Sequence, residues 1–205
     1  MKTSIFFILS FLFISASATT DRSAVVDTDG NKLRANTEYY ILPVIRGMGG
    51  GLTLSFTGRV NTTVSFCPLD VVQAVQEIDN GLPVTFSPMN PKKGIIREWT
   101  DQNIEFAAAT TCVQSTVWEL TDQDEATGLN FVSTGGEKGN YGRETVSNWF
   151  KIEKYEDDYK LVFCPSVCDT CRVICREIGI YIDQNERRRL VLSDVPFKVM
   201  FKKAD

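Results

Sequence analysis

Four cysteines crowd one stretch as Cys164-x3-Cys168-x2-Cys171-x3-Cys175. Thiols at that density serve disulfides in an oxidising compartment, a metal centre, or a redox couple. A four-thiolate zinc site usually joins two Cys-x2-Cys knuckles from separated segments, whereas this stretch has one knuckle and the chain has no histidine. A thioredoxin-type couple at Cys168 and Cys171 lacks its βαβ setting. Structural disulfides are therefore expected for all six cysteines. The spacing favours pairing the isolated Cys67 with Cys112, a long loop closure worth about 4 kcal/mol in the chain-entropy model, and leaves the cluster to pair internally.

The N-terminus agrees with an oxidising destination. Lys2 is a positive start, residues 5–14 form an apolar core, and Ala16-Ser17-Ala18 is a small-x-small cleavage site. Residues 1–18 are read as a secretory signal peptide and 19–205 as one domain, exported to the apoplast or cell wall, with the vacuole as the other destination. The apolar run is too short to span a bilayer, and no later segment approaches the length needed, so no membrane association is expected. The net charge of −4 gives no electrostatic footprint for nucleic acid. The one dense basic run, Arg187-Arg188-Arg189, reads as the solvated end of a hairpin.

The missing histidine also removes every Ser-His and Cys-His catalytic arrangement. Asp122 with Asp124 and Asp157 with Asp158 are acidic pairs of the kind a glycosidase needs. They stand in turn-like polar contexts, where surface carboxylates are the rule. No catalytic residue, metal or other cofactor is expected, and the protein is not read as an enzyme.

The elements that hold these residues are short apolar segments punctuated by turns. Segments 39–44, 52–56, 84–86, 104–106, 117–120, 129–132, 149–152, 161–163, 179–182, 190–192 and 197–201 read as strands, which suggests an all-β barrel or sandwich. Glycine-rich breaks at 47–51, 79–81, 135–136 and 139–140 mark turns. One segment disagrees: 70–78 has apolar residues at helical spacing, Asp70 as a possible cap and Gly81 beyond its end. Local pattern alone makes it a helix.

The motif Val25-x-Asp27-x-Asp29-Gly30-Asn31-x-Leu33 followed by Tyr39-x-Ile41 resembles the N-terminal signature of the Kunitz-type, soybean-trypsin-inhibitor-like plant proteins. Gly49-Gly50-Gly51-Leu52-Thr53, Ser147-Asn148-Trp149-Phe150-Lys151-Ile152-Glu153, Tyr159-Lys160-Leu161-Val162-Phe163-Cys164-Pro165 and Leu192-Ser193-Asp194-Val195-Pro196-Phe197 look like its miraculin-like branch. The resemblance implies a β-trefoil of twelve strands with pseudo-threefold symmetry, and replaces the helix at 71–78 with extended or irregular chain. It also implies the bridges Cys67 to Cys112, Cys164 to Cys175 and Cys168 to Cys171.

Fold leaves function open, because a trefoil can carry its activity on one loop. In family inhibitors the loop between strands four and five enters a protease cleft like a substrate, and it aligns here with residues 87–95. The resemblance makes Asn90, Pro91, Lys92 and Lys93 the protease-contact residues, with Lys92–Lys93 as the reactive bond. A long cation suits the buried aspartate of a trypsin-like pocket. Pro88 and Pro91 restrict the backbone before binding. Family inhibitors commonly brace this loop with an N-terminal asparagine; the aligned residue is Ala35, whose methyl cannot hydrogen-bond, with Asn36 next to it.

The expected partner is thus a trypsin-like serine endopeptidase, in plant defence. The competing expectation is a non-inhibitory miraculin-like defence or interaction protein that uses another surface. Taste modification by mild acid would need titrating histidines, which are absent. With every cysteine paired internally, a monomer is expected. Asn61-Thr62-Thr63 is a glycosylation sequon, so Asn61 is an expected glycan acceptor.

Overall fold

The computed structural model describes residues 22–56, 67–112 and 114–205. The expected signal peptide at 1–18 and the sequon at Asn61 lie outside them. Three consecutive quartets of strands follow one another: β1 (Tyr39–Pro43), β2 (Leu52–Ser55), β3 (Asp70–Gln73) and β4 (Val84–Pro88); β5 (Gln102–Phe106), β6 (Trp118–Gln123), β7 (Asn130–Thr134) and β8 (Lys151–Tyr155); β9 (Asp158–Phe163), β10 (Arg176–Ile182), β11 (Arg188–Ser193) and β12 (Lys198–Lys203). Alternation drives their formation. In β1, Tyr39 and Ile41 are buried while Tyr40 and Leu42 are half-buried, and β4 buries Val84 and Phe86 in the same rhythm.

The outer strands of the quartets close a barrel. β1 pairs with β12 and β4, β4 with β5, β8 with β9, and β9 with β12. A bridge from Gln102 to Phe150 joins β5 to the approach to β8. The inner strands form the hairpins β2–β3, β6–β7 and β10–β11. These meet in a triangle, with Asp70 opposite Ser133, Phe131 opposite Val191, and Val72 opposite Arg189. All twelve strands belong to one antiparallel β-trefoil sheet, and barrel closure removes exposed edges.

The core is aromatic. Tyr39, Phe86, Phe201 and Tyr159 stack in one chain, the Phe86–Phe201 pair edge-on at 5.6 Å. Phe106, Trp118, Phe150 and Phe163 form another, with successive centroids 5.6, 5.9 and 5.7 Å apart. Such pairs add roughly 0.5–1.5 kcal/mol each beyond the burial of their area. Cys67 bonds to Cys112, fastening the approach to β3 to the segment between β5 and β6. Cys164–Cys175 and Cys168–Cys171 nest within the β9–β10 connection. Among the described residues no helix is long and apolar enough to cross a membrane.

Two local readings of the sequence are corrected. Residues 70–78 are not a helix: Asp70–Gln73 is β3, and the chain turns after it. A helix would have brought Val75 and Ile78 onto the apolar face, yet they are 79% and 89% exposed while Val71 and Val72 are buried. Pairing of Val71 with Leu54 and Val72 with Thr53 outweighs local propensity. The glycine run explains how the turn packs. A Cβ on Gly50 would lie 2.2 Å from the Asp79 carbonyl oxygen, and one on Gly51 2.0 Å from that of Asn80.

The solvated-hairpin reading of Arg187-Arg188-Arg189 also fails. Arg189 is 8% exposed. Its guanidinium pairs with Asp70 at 2.9 Å and stacks 3.6 Å above the Phe131 ring at the centre of the hairpin triangle. Arg188 Nε donates to Gln73 Oε1 at 2.6 Å. Arg187 pairs with Asp183 at 2.8 Å. Burial pushes the Asp183 carboxyl up, but bonds from the Arg187 and Asn185 amides and the Arg187 side chain outweigh it and hold the carboxyl below its usual value.

Candidate functional site

The loop between β4 and β5 runs over residues 89–101. Its base is closed by the Met89 amide donating to the Asp101 carbonyl at 2.9 Å. Asn90 then caps a short 3-10 turn, Pro91–Lys93; its side chain accepts from the Lys92 amide at 3.3 Å, and Pro91 supplies the fixed φ of the first turn. Gly94 ends the turn in the left-handed region at φ 58°, which glycine occupies without the cost a Cβ brings. Asn90, Pro91 and Lys92 are exposed.

The second half of the loop is stitched to the N-terminal segment. The Ala35 amide donates to the Gly94 carbonyl at 3.0 Å, Ile96 to Leu33 at 2.9 Å, Val25 to Ile96 at 3.0 Å and Glu98 to Ser23 at 3.0 Å. Arg34 pairs with Ile95, and Ala24 with Arg97, as isolated bridges. Ile96, Leu33 and Val25 are fully buried beneath, so the stitching rests on the core. Trp99 reaches across to the Ile152 carbonyl at 2.9 Å.

A buried polar cluster holds the loop's C-terminal foot. Asp101 accepts from the Ser166 amide at 3.1 Å and from the Ser166 hydroxyl, and lies 3.5 Å from Lys151 Nζ. Lys151 Nζ in turn donates to Ser166 Oγ at 3.2 Å. Each member satisfies another, which makes a buried charge tolerable. The cluster ties the loop to the disulfide-bearing β9–β10 connection. Nothing in the sequence pointed to it, because Asp101 and Ser166 are 65 residues apart.

Of the residues expected to contact a protease, Asn90, Pro91, Lys92 and Lys93 all lie on this one turn. Ala35 does face the loop, but it braces through its main-chain amide, and its methyl packs against the core. Asn36, in the left-handed region at φ 57°, donates its amide to the Phe86 carbonyl at 3.2 Å. Among the described residues its side chain makes no hydrogen bond to the loop.

The family model described as trypsin and protease inhibitor matches residues 25–203. The chain belongs to the Kunitz-type inhibitor family. It is 50% identical over 210 residues to miraculin of Synsepalum dulcificum, covering 95% of this chain and 94% of that protein. It is 48% identical over 201 residues to a Kunitz trypsin inhibitor of Arabidopsis thaliana, covering 97% and 96%. Among solved structures, a Kunitz-type cysteine protease inhibitor from potato superposes with a TM-score of 0.76 at 34% identity, over 90% of this chain and 99% of that one. The family's description is of inhibitors rather than enzymes.

Proposed function

We propose that this Kunitz-type protein is a secreted inhibitor of a trypsin-like serine endopeptidase and offers the Lys92–Lys93 bond of the β4–β5 loop as a substrate-like segment. The observation that carries the reading is an exposed Lys92 on a capped turn whose base is closed by the Met89–Asp101 main-chain bond and whose C-terminal flank is bonded to an N-terminal segment anchored in the core. Lys92 supplies the long cation for a primary pocket floored by aspartate. Bracing on both sides removes much of the ordering cost a free peptide would bear. Protease clefts take extended segments, so the 3-10 turn opens on binding. That opening breaks the 3.3 Å Asn90–Lys92 bond, at a cost of about 1 kcal/mol. The residue after the scissile bond, Lys93, does not enter the primary pocket.

The same reading includes removal of residues 1–18, a glycan on Asn61 and action as a monomer. A second reading is favoured by the relationship to miraculin, namely an interaction protein that uses another face of the trefoil. Titration of active-site-quantified trypsin with purified protein 19–205 separates them. Stoichiometric loss of activity supports inhibition; rapid turnover of the protein, or no loss of activity, supports the other.

A further inference from the structure

On elements that include none of the protease loop, a cavity of about 220 Å3 opens between the β1–β2 turn, β10 and the β11–β12 connection. Pro43, Ile45, Met48, Ile180, Val195 and Phe197 give it apolar walls. Ile45, Met48 and Val195 are 58%, 50% and 73% exposed, a concentration of apolar surface around one hole that solvation alone disfavours. The cavity belongs to the backbone plan: a Cβ on Gly179 would lie 2.4 Å from the Val195 carbonyl oxygen and 2.6 Å from Ser193 Cβ, so glycine lets that turn close onto β10.

The charged groups at this cavity are unequal. Lys198 is neutralised by Glu156 at 2.7 Å and Asp158 at 3.4 Å. Asp194, next to the wall, pairs with Arg176 at 2.7 Å. Arg188 also lines the cavity, and its Nε donates to Gln73, but among the described residues no carboxylate pairs with it. An apolar hole with one un-neutralised guanidinium among the residues that line it is complementary to a small organic anion.

We propose that this cavity is a second binding site, for a small carboxylate with an apolar body, aryl-alkyl or short aliphatic, whose carboxylate meets Arg188. The volume is below the roughly 300–1,000 Å3 of sites for drug-sized ligands, which restricts the ligand to a compact body. Binding here is independent of protease inhibition.

The test is titration of the isotope-labelled protein with 3-phenylpropanoate, followed by backbone amide shifts and calorimetry. Saturable shifts confined to residues 43–48, 178–182, 188 and 193–198 are expected, with 3-phenylpropanol binding at least about tenfold more weakly. Arg188→Met is expected to weaken the acid by at least about tenfold while leaving trypsin inhibition unchanged. Val195→Glu, at an exposed position that tolerates substitution, is expected to abolish binding and serves even if Arg188→Met fails to fold. No saturation by about 10 mM acid, equal binding of acid and alcohol, shifts elsewhere, or undiminished binding by Val195→Glu would each overturn the assignment.

Discussion

Two sets of basic residues sit in different regions of this trefoil. Lys92 stands exposed on the β4–β5 loop, held through main-chain hydrogen bonds of its neighbours. Arg189 lies at the hairpin triangle, buried against Asp70 and Phe131, and is held through its own side chain. In sequence both belong to runs of adjacent cations, Lys92-Lys93 and Arg187-Arg188-Arg189. The difference is geometric. β11 is paired with β3 and β7 inside the hairpin triangle and buries both of its faces, Arg189 included, whereas a turn leaves its side chains in water. A main-chain framework can therefore display a side chain without depending on its identity; a buried ion pair cannot.

The contrast predicts opposite responses to mutation. Arg189→Ala removes the cation that pairs with buried Asp70 and stacks on Phe131, and should cost about 3–5 kcal/mol in denaturant unfolding without changing trypsin inhibition by the folded fraction. A melt indistinguishable from the parent would show that the pair contributes nothing to the triangle. Lys92→Ala should do the reverse. Inhibition should weaken by at least ~2 kcal/mol, about thirtyfold, with unfolding unchanged. Lys93→Ala should alter inhibition much less. Equal losses at the two lysines would displace the reactive bond. Smaller still is Ala35→Asn: an amide at that position adds a side-chain brace to the existing Ala35–Gly94 main-chain bond. It should tighten inhibition by about 1 kcal/mol, or roughly fivefold. An unchanged inhibition constant would show that main-chain stitching already suffices.

What the sequence made legible follows the same division. Strands such as 39–44 and 197–201 announced themselves because alternation of apolar residues is itself the cause of their burial. β3 was hidden, since Val71, Val72, Val75 and Ile78 fit a helical face and only pairing with distant chain decides otherwise. The burial of Arg189 was hidden for a related reason: its partner Asp70 lies 119 residues away. At the loop, the cation and the prolines were visible through the family resemblance. The stitching of 94–98 to 23–35 was not, because main-chain bonds leave little mark on residue type. The Asp101–Ser166–Lys151 cluster left none either.

The bond that trypsin cuts tests the central claim most directly. Cys67 and Cys112 lie on either side of Lys92–Lys93, so a chain nicked there stays linked through their disulfide. Incubation of the protein with catalytic trypsin, followed by reducing and non-reducing electrophoresis and N-terminal sequencing, should give a species intact without reductant. On reduction it should yield two fragments, the second beginning Lys93-Gly94-Ile95. First cleavage at Lys154 or within Arg187-Arg188-Arg189, with Lys92–Lys93 left whole and no inhibition observed, would contradict the assignment of this loop as the inhibitory site.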